Sequence, residues 1–86
     1  MNNHKELIRK FIIENFLFGD EKKINDDTDF FKTGIIDSTG IIELVGFIES
    51  SIDIKIMDDE LILKNFSSLN NIITYLKLKL NSHTVD

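Results

Sequence analysis

One stretch decides the fold, namely Gly34-Ile35-Ile36-Asp37-Ser38-Thr39-Gly40-Ile41-Ile42-Glu43-Leu44-Val45. It does so because it joins a polar loop to an apolar helix. Apolar residues then recur at helical spacing and form one stripe, namely Ile41, Leu44, Val45, Ile48 and Ile52. Either Asp37 or Ser38 could cap this helix, since both side chains can accept a hydrogen bond from an unpaired backbone N–H. The sequence therefore predicts a helix over residues 38–52.

Further helices are predicted on both sides of this segment. The spacing predicts a first helix over residues 3–18, with a buried stripe formed by Leu7, Ile8, Phe11, Ile12 and Phe16. Ile13 and Leu17 fall on its other side and are expected to be partly exposed. Gly19 is a candidate for the residue that ends this helix. A long loop follows over residues 19–37, and Ile24, Phe30 and Phe31 are expected to pin it to the core.

The C-terminal half is predicted to hold two more helices. Asp58-Asp59-Glu60 opens a short helix over residues 58–63, with its acids at the positive end of the helix dipole. Ser67 or Ser68 caps the last helix, over residues 68–80, which buries Leu69, Ile72, Ile73 and Leu76. The expected fold is all-α: one domain over residues 1–86, a small bundle of three main helices and one short helix, with a long loop between the first two.

Composition narrows the class of protein. The 86 residues include no cysteine, which excludes a disulfide, a thiolate zinc site and a cysteine nucleophile. No apolar run approaches the roughly 20 residues of a membrane span, and no signal peptide is evident. We therefore expect a cytoplasmic monomer that does not insert into membranes.

Charge is concentrated around the opening stretch. Residues 37–60 hold seven acids against the single base Lys55, within a chain of net charge −5. This acidic surface argues against nucleic acid as a partner and favours basic proteins. A merely solvated helix face is the alternative explanation of such a run.

The sequence contains no catalytic or metal-binding constellation. His4 and His83 lie in the polar ends, and no zinc, calcium or phosphate-loop motif is present. Ser38 has no sequence-evident base or oxyanion partner. We therefore expect no catalytic residue and no metal site, and Ser38 is the best candidate for the reactive atom.

Two glycines and one isoleucine of the second helix also stand out. Gly40 and Gly46 each cost about 1 kcal/mol of helix propensity relative to alanine, which suggests close approach by a neighbouring helix or a partner. Ile42 falls opposite the buried stripe, so it is a candidate apolar contact for a partner.

At this point the chain resembles the carrier-protein family of acyl, aminoacyl, peptidyl and D-alanyl carriers. The matching residues are Asp37-Ser38, Ile42-Glu43-Leu44, Ile52-Asp53-Ile54-Lys55-Ile56, Asp58-Asp59-Glu60, Phe66-Ser67-Ser68-Leu69 and Ile73-x-Tyr75-Leu76, with Phe30 in the first loop. The resemblance covers nearly the whole chain. Gly34-Ile35-Ile36 and Gly40 make it closest in pattern to D-alanyl and discrete aminoacyl carriers.

The resemblance implies a prosthetic group and a set of partners. Ser38 would carry 4′-phosphopantetheine, which a phosphopantetheinyl transferase adds from coenzyme A. The arm would hold a thioester-linked cargo that an adenylating ligase or acyltransferase loads and that downstream thioester-using enzymes consume. Recognition of these partners would fall to residues of the second helix and its cap: Asp37, Thr39, Ile42, Glu43, Gly46 and Glu49.

Two alternatives to a discrete carrier of natural-product, cell-wall or aminoacyl metabolism stay open. One is a fatty-acid synthase acyl carrier protein, although Ser50 and Ser51 stand where such carriers often have acids. Gly46 and Met57 also depart from the family pattern, in which a larger apolar residue and a proline are usual. The other alternative is a non-carrying helical interaction module in which Ser38 is only an N-cap.

Overall fold

The computed structural model describes the backbone of residues 2–85 and the side chains of residues 4–81. Within these residues the chain forms four α-helices and two short 3₁₀ turns. The helices are α1 (Asn2–Phe16), α2 (Ser38–Ile52), α3 (Leu63–Phe66) and α4 (Leu69–Val85), and the 3₁₀ turns span Glu21–Lys23 and Asp58–Glu60. No strand occurs within residues 2–85. The prediction of an all-α fold is confirmed.

Helix α1 packs against both α2 and α4, so its apolar surface is wider than a single stripe. Ile13 and Leu17 are buried, and the prediction that they would be partly exposed is wrong. Leu7, predicted in the buried stripe, is 39% exposed, so that part of the prediction is wrong. The cause is the second packing partner, since a helix held between two neighbours buries residues outside one stripe.

The first helix ends at Phe16, two residues before the predicted boundary, because the chain turns into the left-handed region. In the loop that follows, Ile24 and Phe30 are buried and Phe31 is partly buried against the core, as predicted. The backbone N–H of Phe30 donates to the Ser67 carbonyl at 2.8 Å, which ties the loop to the segment before α4. The loop thereby delivers the chain to the start of α2.

The short helix predicted over residues 58–63 is displaced. The structure has a 3₁₀ turn at Asp58–Glu60, and α3 begins only at Leu63. The break lies at Leu61, whose ψ of 61° is not helical. Beyond it, Phe66 is buried and anchors α3 to the core.

The last helix begins one residue after the predicted position and runs beyond residue 80, to Val85. Its start is fixed by Ser68, whose Oγ accepts a hydrogen bond from the Asn71 backbone N–H at 3.1 Å. The predicted stripe of Leu69, Ile72, Ile73 and Leu76 is buried.

Candidate functional site

Asp37 caps helix α2. Its Oδ1 accepts a hydrogen bond from the Gly40 backbone N–H at 2.7 Å, and its carbonyl accepts the first helical bond from Ile41 at 2.9 Å. Ser38 is therefore the first residue inside the helix and not its cap. The suggestion that Ser38 serves as the N-cap is wrong, because Asp37 already fills that position.

The Ser38 side chain is exposed at this helix start. Within residues 4–81, no side chain or backbone group hydrogen-bonds its hydroxyl. The hydroxyl stands at the N-terminus of a 15-residue helix, where unpaired N–H groups and the helix dipole favour negative charge. Ser38 is thus placed where a phosphate ester would be accessible and would lie near the positive end of the helix dipole, beside the Asp37 carboxylate.

Gly40 is buried because the end of α1 packs onto it. A Cβ atom at Gly40 would lie 2.8 Å from Cε1 of Phe16 and 3.2 Å from Cγ2 of Ile36. Gly46 differs, since a Cβ there would meet nothing within 4 Å among the described residues. Close approach by a neighbouring helix thus explains Gly40 but not Gly46.

Gly46 instead lines an open, mostly apolar cleft between α2 and the segment that follows Asp58–Glu60. The cleft has a volume of about 270 Å³. Its lining residues are Ile41, Ile42, Val45, Gly46, Glu49 and Leu61. Ile42 is 72% exposed at its rim, so the prediction of an exposed isoleucine here is confirmed.

The other residues assigned to partner recognition divide into two groups. Asp37, Thr39 and Glu43 are exposed on the surface around Ser38. Glu49 is partly buried, and its Oε2 accepts a hydrogen bond from the Ile56 backbone N–H at 2.8 Å. Glu49 therefore holds the extended segment after α2 against that helix.

A polar cluster that sequence reasoning missed fixes the far wall of the cleft. The Glu60 carboxylate accepts hydrogen bonds from the Met57 backbone N–H at 3.0 Å, the Tyr75 hydroxyl at 3.0 Å and the Lys79 Nζ at 2.8 Å. The bond from Lys79 is the largest cause that lowers the pKa of Glu60 below its usual value, and the Met57 and Tyr75 bonds act in the same direction. Burial and the neighbouring carboxylate raise the pKa of Tyr75. The only hint in the sequence is that Tyr75 and Lys79 share one face of α4.

The other residue types that could bind a metal or act in catalysis form no cluster within the described residues. Within the described residues, no three His, Asp or Glu side chains are placed to hold a metal ion. His4 is partly buried, with an Nδ1 that has no hydrogen-bond partner, and the His83 side chain lies outside the described residues. No described helix is long and apolar enough to cross a membrane.

The described residues thus form a small all-helical domain with an exposed serine at a helix start and acidic side chains beside it. These features are compatible with a carrier, a protein that positions a reactive group which a cofactor supplies. The family model for the phosphopantetheine attachment site matches residues 12–76, and the chain belongs to that family. Its prosthetic group is 4′-phosphopantetheine.

The fold agrees with this membership. The chain is similar to a holo acyl carrier protein from Nitrosomonas europaea, solved in solution, with a TM-score of 0.75 and 19% identity. The match covers 91% of this chain and 96% of that one. A comparison with curated protein sequences gives no match.

Proposed function

We propose that Ser38 is the residue that carries the 4′-phosphopantetheine arm. One observation carries this proposal. Asp37 caps α2, while the adjacent Ser38 hydroxyl is exposed and makes no hydrogen bond within residues 4–81. A structural serine at a helix start is normally the cap itself. Here the hydroxyl is left available, at the end of the helix that best tolerates a phosphodiester.

The attachment step is a transfer from coenzyme A by a separate transferase. The Ser38 Oγ attacks the phosphorus that bears the pantetheine, a new P–O bond forms, and the pyrophosphate P–O bond breaks. Adenosine 3′,5′-bisphosphate leaves, and the hydroxyl proton passes to a base of the transferase. When bound, the arm supplies the thiol that the cysteine-free chain lacks.

The surface around Ser38 is the proposed recognition face for these enzymes. Asp37, Thr39 and Glu43 are exposed there, and Ile42 adds an apolar contact. Gly46 keeps the cleft beside them open. Because the carboxylate of Glu49 is already bonded to Ile56, its share in recognition is expected to be smaller.

For the cargo we propose an acyl or aminoacyl thioester of natural-product, cell-wall or aminoacyl metabolism. The support is the sequence pattern Gly34-Ile35-Ile36-Asp37-Ser38-Thr39-Gly40, which is similar to D-alanyl and discrete aminoacyl carriers. A fatty-acid synthase carrier is the alternative. Loading of the pantetheinylated protein by an adenylating ligase favours the first assignment, and loading by a malonyl transferase favours the second.

Intact-mass measurement tests the attachment. The protein is incubated with coenzyme A, magnesium and a broad-specificity phosphopantetheinyl transferase, beside the Ser38→Ala and Ser51→Ala variants. Ser51 is a matched control, since it is an exposed serine of the same helix. We expect one arm on the wild type and on Ser51→Ala and none on Ser38→Ala. An adduct that survives Ser38→Ala, or a wild type that takes up no arm, would overturn the proposal.

A non-carrying interaction module is the alternative from another class of function. In that alternative Ser38 serves only as an N-cap, whereas Asp37 occupies the N-cap position of α2. Such a module would bind its partners equally well with Ser38→Ala, whereas a carrier loses all cargo transfer with this variant.

A further inference from the structure

The cleft beside α2 lies along the helix face that begins at Ser38. Residues 38, 42, 45 and 49 follow the helical spacing that places side chains in one row. Ile42, Val45 and Glu49 of this row line the cleft, and Ser38 stands at its N-terminal end. The cleft is therefore in line with the hydroxyl to which the arm is assigned.

The reach of the arm matches the length of this row. Glu49 follows Ser38 by eleven positions, which is about 17 Å along the axis of a helix that rises about 1.5 Å per residue. About fourteen bonds link the Ser38 Oγ to the sulfur of a 4′-phosphopantetheine arm, nearly as many as in five residues of extended chain, so the arm spans about 16 Å. The cargo at the end of the arm can therefore reach Glu49.

Glu49 is the one charged residue that lines the cleft. It is partly buried, and its Oε2 accepts the hydrogen bond from the Ile56 N–H at 2.8 Å. Within residues 4–81, its Oε1 has no hydrogen-bond partner, and no Lys, Arg or His side chain forms an ion pair with it. Glu49 thus offers a free acceptor and an uncompensated negative charge to a group that enters the cleft.

The surroundings of the cleft add to this negative charge. Burial is the first cause that raises the pKa of Tyr75, and three nearby carboxylates act in the same direction, those of Glu60, Glu49 and Asp59. Among these three, the described residues pair only Glu60 with a cation, Lys79 at 2.8 Å. A partly buried carboxylate is stabilised by an opposite charge beside it. The charges therefore favour a cationic group in the cleft over a neutral one.

The walls of the cleft set the size and polarity of that group. A Cβ at Gly46 would meet nothing within 4 Å among the described residues, so the helix surface is open there. The volume of about 270 Å³ lies just below the range of about 300–1,000 Å³ for pockets that hold drug-sized ligands. Ile42, Val45 and Leu61 supply apolar contacts. The cleft thus suits a small group that is apolar apart from one positive charge.

We propose that the cleft receives the cargo at the end of the arm, and that this cargo is a small aminoacyl group whose ammonium binds the Glu49 carboxylate. The inference rests on the proposed attachment at Ser38 and narrows its cargo from an acyl or aminoacyl group to an aminoacyl group. Glu49 is a binding residue for the cargo, and no covalent bond forms or breaks there. Recognition of partner enzymes stays with exposed residues such as Asp37, Thr39 and Glu43.

Two cargoes of nearly equal shape test this. Alanyl and isobutyryl groups differ only in an ammonium that replaces a methyl group, and each is loaded through a hydrolysis-resistant amide, on an arm whose thiol is replaced by an amine. The proteins are wild type, Glu49→Gln, which keeps an oxygen for the Ile56 N–H, and Glu43→Gln, which removes an exposed carboxylate of the same helix. NMR measures the pKa of the alanyl ammonium and the backbone amide shifts of Gly46 and Leu61, and the same spectra show that each variant is folded.

The alanyl group should shift the Gly46 and Leu61 amides of wild type, relative to the arm without cargo, more than the isobutyryl group does. The pKa of the alanyl ammonium should lie about one unit higher in wild type than in Glu49→Gln, because an adjacent carboxylate favours the charged amine. In Glu43→Gln it should stay within about 0.3 unit of wild type, since an exposed charge outside the cleft is screened.

Equal ammonium pKa values in wild type and Glu49→Gln would overturn the inference. Cleft amides that respond to neither cargo would overturn it as well, and would leave the cleft to a partner protein. A wild type that takes up no arm on Ser38 would instead overturn the proposed function, and this inference with it.

Discussion

The Tyr75 hydroxyl donates a hydrogen bond to the Glu60 carboxylate at 3.0 Å and so joins α4 to the 3₁₀ turn directly before Leu61, which lines the cleft beside α2. Lys79 binds the same carboxylate one helical turn further along α4. On the α2 side, the Glu49 carboxylate accepts a hydrogen bond from the Ile56 backbone N–H at 2.8 Å. Two carboxylates, one in α2 and one in the 3₁₀ turn, therefore fix the segment from Asp53 to Glu60.

Tyr75→Phe tests the first of these contacts. The variant keeps the ring, whose centroid lies 5.3 Å from that of Phe66, and deletes only the hydroxyl. Because a hydrogen bond to a charged group is lost, the free energy of unfolding should fall by about 1.5 kcal/mol. Urea denaturation measures this, with Ser51→Ala expected within about 0.5 kcal/mol of wild type. Equal stability of Tyr75→Phe and wild type would show that the bond contributes nothing.

Glu60 should make the protein sensitive to acid. The bonds to Lys79, Met57 and Tyr75 lower the pKa of Glu60 in the folded state below its usual value of 4.5. A group whose folded pKa is depressed contributes its full stability above the unfolded pKa and loses it as the pH falls through the folded pKa. The contribution of Glu60 should therefore be complete at neutral pH and decline below about pH 4.5.

The variant Glu60→Gln isolates that contribution. The difference in unfolding free energy between wild type and Glu60→Gln should be largest at neutral pH and shrink as the pH falls below 4.5. Asp59→Asn, an exposed neighbour, serves as the control for general loss of negative charge. A difference that stays constant with pH would contradict this account.

Tyr75 offers a direct spectroscopic check of the same cluster. It is the only tyrosine of a chain without tryptophan, so the change in ultraviolet absorbance on phenol ionisation reports this residue alone. Burial is the first cause, and the bond to Glu60 the second, that raise the pKa of Tyr75 above its usual value of 10.0. We expect the folded protein to ionise above pH 10.0 and the Glu60→Gln variant to ionise at a lower pH than wild type. Ionisation at the ordinary value in the folded wild type would exclude the cluster.

Helix α2 could be predicted from the sequence because its signals are local. Its signals are a cap residue, a glycine in the loop before it and an apolar stripe, and each involves residues close together in sequence. Together they place the helix at Ser38–Ile52. The burial of Ile13 and Leu17 was not predictable in the same way. It depends on α1 having two packing partners, which no pattern within α1 records.

The cluster of Glu60, Tyr75 and Lys79 could not be predicted from the sequence for a related reason. Its members are 15 and 19 residues apart in sequence, and only the path of the chain through α3 brings them together. The left-handed backbone of Phe18 was equally hidden, because phenylalanine carries no preference for that conformation. Contacts between distant segments and unusual backbone angles are therefore the features that required the structure.

Gly40 and Gly46 should respond in opposite directions to the same substitution. Gly40→Ala places a Cβ 2.8 Å from the Phe16 ring and 3.2 Å from Ile36, so these side chains must shift and stability should fall by about 1–3 kcal/mol. Gly46→Ala meets no atom within 4 Å and should gain about 0.5–1 kcal/mol of helix stability. Because both glycines lie in α2, each variant serves as the control for the effect of the other on the stability of this helix. Equal effects on the urea midpoint would refute the packing assigned to Gly40.

Substitution of Asp37 should lower stability, whereas substitution of Ser38 should abolish modification. Asp37→Ala removes the side chain that accepts the Gly40 N–H at 2.7 Å, and loss of such a cap costs about 1 kcal/mol. Ser38→Ala removes a hydroxyl that makes no hydrogen bond within residues 4–81, so the free energy of unfolding should change by less than about 0.5 kcal/mol. Paired urea denaturation and intact-mass measurements check both variants. We expect Asp37→Ala to be less stable yet still modified, and Ser38→Ala to be stable and never modified. The reverse ranking of stabilities would make Ser38 the cap after all, and the case for its role as the attachment point would lose its structural basis.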